Sequence, residues 1–297
     1  MSESDNEWLE ASVTVVPEIA EAVSEVLSRY APRGVVIETT SPGDWEHSPV
    51  TVRAYVPYDD QVSSTKRSIQ AAMGHLNQIH PVPPPTFRRL TEADWSEAWK
   101  QNFHVLHIGQ HIVIRPSWCD YIPRLDDVVI HLDPGMAFGT GLHPTTQMCL
   151  EALEQRVRPG DQVLDIGTGS GILAICAARL GASLVVGVDN DPVAVRMARE
   201  NVRLNQVEDS VTILAGSLSN VSGQYDIIVV NILAKVIIKL LDEGLTSLLA
   251  PDGYVIATGI ITDQAEAVVM AMEKQKLLLI KQQQKDDWVC LIACRNL

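Results

Sequence analysis

Basic side chains are scarce in this chain: 23 lysines and arginines stand against 37 aspartates and glutamates, a net charge of −14 over 297 residues. A surface of that sign repels phosphates, so direct nucleic-acid binding is not expected, and it attracts basic partners. Residues 1–80 alone hold twelve acidic and five basic side chains. That concentration has two readings, solubility or a docking surface for a cationic protein. Cysteine is also sparse. Cys119, Cys149, Cys176, Cys290 and Cys294 form no Cys-x-x-Cys pair, and an odd count argues against a disulfide framework or a zinc site. They read as reduced core thiols. The eight histidines show no metal-ligand spacing, so no metal is expected. No Ser/His/Asp arrangement is supported either.

No apolar run reaches the roughly 18 residues that span a bilayer. The longest, 227–241, is broken by Asn231, Lys235 and Lys239. The chain opens on MSESDNEWLE, without the basic and apolar regions of a signal peptide, which predicts a cytoplasmic protein. The composition, 46% apolar and 20% charged, is that of a soluble globular protein. The length allows one large domain or two ordinary ones.

The pattern along the chain favours two. Residues 9–16 alternate as a strand, and Pro17 marks a helix start for 18–30, with Ile19, Val23, Val26 and Leu27 at helical spacing. Strands follow at 34–38 and 50–56, a helix at 60–79, a stiff PVPPP at 81–85 and a last strand at 86–90. This order predicts a small ferredoxin-like α+β domain over 1–89. Thr91 to Asp94 is a capping-box variant that starts a linker helix over 90–103. From 104 to 297 strands and helices alternate. Apolar strands at 162–166, 184–188, 211–214, 226–231 and 253–258 predict a doubly wound α/β domain with a parallel sheet buried on both faces. Residues 276–281 and 288–294 are expected to pair as an antiparallel edge.

Within that domain, Asp165-Ile-Gly167-Thr-Gly169-Ser-Gly171 lies between a strand and a helix. Glycines let the backbone turn tightly and let a ligand approach it, and the helix N-terminus beyond offers unpaired N–H groups to an anionic group. Asp189 ends the next strand, where a carboxylate can accept both hydroxyls of a ribose. Together they describe a site for an adenosine-containing cofactor. Residues 169–174 also fit the dinucleotide pattern G-x-G-x-x-G/A, so a nicotinamide oxidoreductase competes. Three features favour S-adenosylmethionine. Asp165, just before the glycines, would order an ammonium through water but repel a pyrophosphate. Asn231-Ile232-Leu233 ends a strand where a methyl acceptor would sit. A second glycine-rich segment, residues 131–146, precedes the first strand of the sheet.

The segments LDPGMAFGTGLHPTT, VLDIGTGSGILAICAARLGA, GVDNDPVAV and VVNILA resemble the ribosomal protein L11 methyltransferase family. DWSEAWKQNF, IVIRPSW and the terminal WVCLIACR fit the same family. The likeness by motif covers about 90–297; residues 1–89 agree in length and element order. It implies a class I S-adenosylmethionine-dependent methyltransferase acting on amino groups, lysine or N-terminal amine, of ribosomal protein L11, with the first domain holding that substrate. It implies that Thr146, Gly167, Asp189 and Asn231 contact the cofactor, with Asp165 and Gly169 in the same turn. Phe138, Gly139, Thr140 and His143 would form a loop over the cofactor and acceptor channel. Thr168 stands where many members have Cys.

A lysine ammonium has a pKa of about 10.4 and must lose a proton before it attacks. A dry channel and a neighbouring sulfonium lower that value, so water can take the proton and no dedicated base is assigned. Asn231 would position the amine through its side-chain oxygen, helped by the Ile232 carbonyl. The other reading of Asn231 is an N-cap for the following helix. His143 reads as a structural or cofactor-closing group. A methyltransferase for lysines of another protein, and a binding module without chemistry, stay open as alternatives. The expected state is a monomer.

Overall fold

The computed structural model describes residues 8–31, 35–39, 49–77, 80–90, 104–132, 141 and 143–295, with backbone alone at 18, 21, 25 and 36–39. The chain divides into two compact units, residues 1–102 and 103–297. The linker helix expected over 90–103 lies almost wholly outside the described residues.

The first unit runs β1 (Trp8–Val15), α1 (Pro17–Ser28), β2 (Val35–Thr39), β3 (Val50–Pro57), α2 (Val62–Leu76) and β4 (Thr86–Leu90). Its sheet has the order β2-β3-β1-β4, and every neighbouring pair is antiparallel. Strand alternation makes one face apolar: Val13, Val52 and Ala54 bury against Val23 and Leu27 of α1 and Ile69 and Met73 of α2. Pro17 sits in the first turn of α1, where its missing N–H costs nothing. On the other face Arg53 donates to Glu10 at 2.7 Å, which gives a nearly buried carboxylate its counter-charge.

The second unit continues with β5 (Leu106–Ile108), β6 (Ile112–Arg115), β7 (Val128–His131), α3 (Pro144–Arg156), β8 (Gln162–Ile166), α4 (Ile172–Arg179), β9 (Leu184–Asp189), α5 (Pro192–Leu204), β10 (Val211–Ala215), β11 (Tyr225–Asn231), α6 (Ala234–Asp242), β12 (Leu249–Ile261), α7 (Ala265–Lys274), β13 (Leu277–Lys285) and β14 (Trp288–Arg295). Seven strands form one sheet in the order β10-β9-β8-β11-β12-β14-β13. The first five are parallel. Successive residues of each strand feed opposite cores. Val163, Val185 and Val229 face α3, α4 and α5, while Leu164, Val186 and Val230 face α6 and α7. Truncating one such leucine or isoleucine to alanine costs about 2–5 kcal/mol.

The last two strands pair antiparallel, as expected. Together they form one end of the sheet, with β14 on the inside against β12 and β13 outermost. The reason lies in the side chains of β14: Val289 to Ala293 are all fully buried, so both faces need cover. β13 alternates partly buried and exposed residues after Leu277 and takes the edge.

The small sheet β5-β6-β7 has no counterpart in the sequence reading. Its strands of three or four residues are too short for periodicity to register. It shares the core of the larger layer, and two side chains add hydrogen bonds to it. Glu154 of α3 accepts the N–H groups of Gln110 and His111 at the β5–β6 turn. Asn205 both accepts from the His131 N–H at 2.8 Å and donates to the His131 carbonyl at 2.6 Å. Among the described residues no helix is long and apolar enough to cross a membrane.

Candidate cofactor and acceptor site

The glycine turn after β8 has Gly167, Gly169 and Gly171 at φ +73°, +55° and +83°, the left-handed region that glycine alone enters freely. The Gly167 and Thr168 N–H groups both donate to the Val188 carbonyl, at 2.8 and 3.1 Å, which docks the turn on the end of β9. Asp189, also at that end, accepts from the Gly169 N–H at 2.9 Å and from the Asp191 N–H at 3.0 Å. One backbone donor on each carboxylate oxygen fixes its orientation and leaves lone pairs for two further donors, as a ribose diol would supply.

A cleft of about 610 Å³ opens at the carboxyl ends of β8, β9, β10 and β11, where open α/β sheets bind ligands. Gly167, Gly169, Asp189, Asn190, Ser217, Leu218, Asn231, Ile232, His143 and Trp288 are among its walls. Gly167 meets it with bare backbone: a Cβ there would stand 2.5 Å from Cγ2 of Ile232. Of the expected site residues, Gly167, Gly169, Asp189, Asn231, Ile232 and His143 therefore share one cleft.

Two others do not line it. Asp165 is fully buried and lies behind the turn, where Thr168 Oγ1 donates to its Oδ2 at 2.6 Å. Its Oδ1 has no hydrogen-bond partner among the described residues. Burial, reinforced by the charge of Asp189, pushes the carboxyl up to about 7, against the Thr168 and Ala174 hydrogen bonds. In this position Asp165 braces the turn through Thr168. Thr146 is also fully buried; its neighbour Thr145 lines the cleft instead. Consecutive helical residues point about 100° apart, so the first turn of α3 can present only one of the two threonines. Thr146 reaches the site indirectly, accepting from Asn231 Nδ2 at 3.4 Å. Phe138, Gly139 and Thr140 lie outside the described residues.

Asn231 is the last residue of β11. Its Oδ1 is buried and has no hydrogen-bond partner among the described residues, which costs free energy unless a ligand donor satisfies it. Helix capping is not its role: the N-cap of α6 is Leu233, with no side-chain cap. The following peptide is anchored by Ile232 N–H to the Thr258 carbonyl at 3.2 Å. His143 caps α3, its Nδ1 taking the Thr145 N–H at 3.3 Å and sharing a 2.7 Å hydrogen bond with the Thr145 hydroxyl. Its ring meets Trp288 edge-to-face, with centroids 4.8 Å apart. Burial holds the imidazole below its usual pKa, which favours a neutral, structural histidine.

Sequence reasoning missed Ser217, Leu218 and Trp288. The first two follow β10 directly, and the rule that ligands gather at strand carboxyl ends could have found them. Trp288 had no local signal.

The sequence matches the ribosomal protein L11 methyltransferase family over residues 7–296. It is similar to the ribosomal protein L11 methyltransferase of Chloroflexus aurantiacus, 45% identical over 97% of this chain and 98% of that protein. The protein of the same name from Heliobacterium modesticaldum is 39% identical over 97% of each. Among solved structures, the ribosomal protein L11 methylase from Lactobacillus delbrueckii subsp. bulgaricus is 36% identical with a TM-score of 0.62. That likeness covers 66% of this chain and all of the other.

Proposed function

The chain belongs to the ribosomal protein L11 methyltransferase family, and from that premise we propose that it transfers methyl groups from S-adenosylmethionine to amino groups of ribosomal protein L11. The cofactor follows from the family, and the cleft suits it. The bare Gly167 backbone, the doubly anchored Asp189 carboxylate and the apolar Leu218 wall offer places for an amino-acid end, a ribose and an adenine. S-adenosylmethionine supplies an electrophilic methyl group on a sulfonium.

The protein's own work is alignment and dehydration, with proximity as the main lever. Asn231 Oδ1 is the observation that carries the reading: a buried acceptor without a donor among the described residues, at the wall of the cleft. An incoming amine satisfies it, and the Ile232 carbonyl is the second acceptor. Two neutral oxygens hold a nitrogen while leaving its lone pair for attack. Desolvation lowers the pKa of the lysine or N-terminal amine, and water takes the proton. His143 closes the site by packing on Trp288.

We take residues 1–89 as a ferredoxin-like substrate-recognition domain, 90–103 as the linker helix and 104–297 as the methyltransferase domain. The acid-rich first 80 residues suit a basic ribosomal protein. The protein acts as a cytoplasmic monomer without direct contact to nucleic acid. Calorimetry with S-adenosylmethionine and with NADH, followed by an assay for L11-dependent S-adenosylhomocysteine, tests the proposal. Binding of the first ligand and L11-dependent turnover are expected. Tight NADH binding with no heat from S-adenosylmethionine would overturn it, and turnover on another protein but not L11 would move the substrate.

A further inference from the structure

Ile232 is seated between two glycines. Its Cγ2 lies 2.5 Å from where a Cβ on Gly167 would stand, and its carbonyl oxygen 2.2 Å from where a Cβ on Gly259 would stand. Gly259 has φ +83° and falls where the register of β12 against β14 shifts, between Ala257 and Ile260. The residue before it completes the seat. The Thr258 carbonyl accepts the Ile232 N–H at 3.2 Å. Thr258, fully buried, donates its hydroxyl to the Val289 carbonyl at 2.9 Å. The irregular stretch of β12 thus holds the Ile232 peptide, and the Ile232 side chain leans on the cofactor turn. All three residues, Gly167, Ile232 and Gly259, line the cleft.

We propose that Gly259 is a positioning residue for methyl transfer: by carrying no side chain, it lets β12 seat the Ile232 peptide and so fixes the spacing between the methyl donor and the acceptor nitrogen. The inference rests on the methyl-transfer reading given above. Gly259 meets two separate demands. One is the positive φ, which asparagine also tolerates. The other is the approach of the Ile232 carbonyl, which no L side chain tolerates, because the atoms in the way are backbone. The Ile232 peptide cannot retreat toward the turn, since its branched carbon already touches Gly167. It must tilt, and Asn231, the adjoining residue, tilts with it. A misplacement of about 1 Å at a reacting centre costs on the order of a hundredfold in rate. The turn and Asp189 keep their own hydrogen bonds to β9 and α5, so cofactor affinity is insulated from that tilt.

The test compares wild-type protein with Gly259→Ala in two assays: calorimetric affinity for S-adenosylhomocysteine and steady-state methylation of L11. The expected result is a fall in kcat on the order of a hundredfold with affinity changed by less than about threefold. Turnover within about threefold of wild type, or equal losses in both assays, overturns the inference. Gly259→Asn separates the two demands and serves alone if the alanine variant does not fold. It must show the same selective loss, and wild-type turnover in it would mean that φ alone mattered, which also overturns the inference. Absent turnover in the wild-type protein is a different result: it overturns the proposed function, and this inference with it.

Discussion

Thr146 accepts the side-chain amide of Asn231 at 3.4 Å, and this contact sets which end of Asn231 is left for a ligand. With its nitrogen engaged, the group left unpaired among the described residues is the Oδ1 acceptor, which suits an amine donor and not a carbonyl. Asn231→Ala is expected to lower kcat by about a hundredfold or more while S-adenosylhomocysteine affinity is partly kept. Thr146→Val should give a smaller loss of the same kind, about tenfold, because the amide is freed to rotate. Thr146→Ser keeps the acceptor and should recover most of that loss. Steady-state kinetics beside calorimetry read both effects. Wild-type turnover in Asn231→Ala would remove it from the mechanism.

Asp189 is expected to act on the cofactor alone. Its carboxylate is oriented by two backbone N–H groups and faces the cleft. Asp189→Ala removes the acceptors for the ribose and frees the Gly169 turn, so affinity should fall by about 1.5–3 kcal/mol, roughly ten- to a hundredfold. Asp189→Asn should lose less. Unchanged affinity in Asp189→Ala would mean that the ribose lies elsewhere.

Asp165 should give the free protein a distinct pH dependence. Burial raises its carboxyl from 3.8 to about 7. Between those values the folded state binds more protons than the unfolded one, so stability falls as pH rises across the window and levels off above it. Thermal unfolding at pH 5 and pH 8 should show Asp165→Asn gaining on the wild-type protein at the higher pH. A pH-independent difference between the two would contradict the assignment.

The glycine turn was legible because three left-handed conformations at alternate residues, Gly167, Gly169 and Gly171, favour one residue type, and the spacing shows directly in the chain. Asp189 was legible because a carboxylate after an apolar strand has few reasons to be there. Strand order was not. Whether β14 is an edge or lies inside the sheet depends on which neighbour covers its second face, and local periodicity is silent on that. The small sheet β5-β6-β7 was lost to its short strands. Gly259 reads as one glycine in an apolar strand, and its reason, the Ile232 carbonyl, arrives from the loop after β11. Thr145 and Thr146 show the finer limit: the sequence reading singled out Thr146, and the path of α3 places Thr145 among the cleft walls. The Phe138–Thr140 expectation concerns residues outside the described structure.

Methyl transfer to amines of ribosomal protein L11 can be read from the intact mass of L11. Purified, unmodified L11 is incubated with the protein and S-adenosylmethionine and then weighed. L11 is expected to become heavier by whole methyl groups, with the added mass on lysine or N-terminal fragments, and to gain it far more slowly with Asn231→Ala. An unchanged L11 mass, under conditions where the wild-type protein binds S-adenosylmethionine, would contradict methyl transfer to L11.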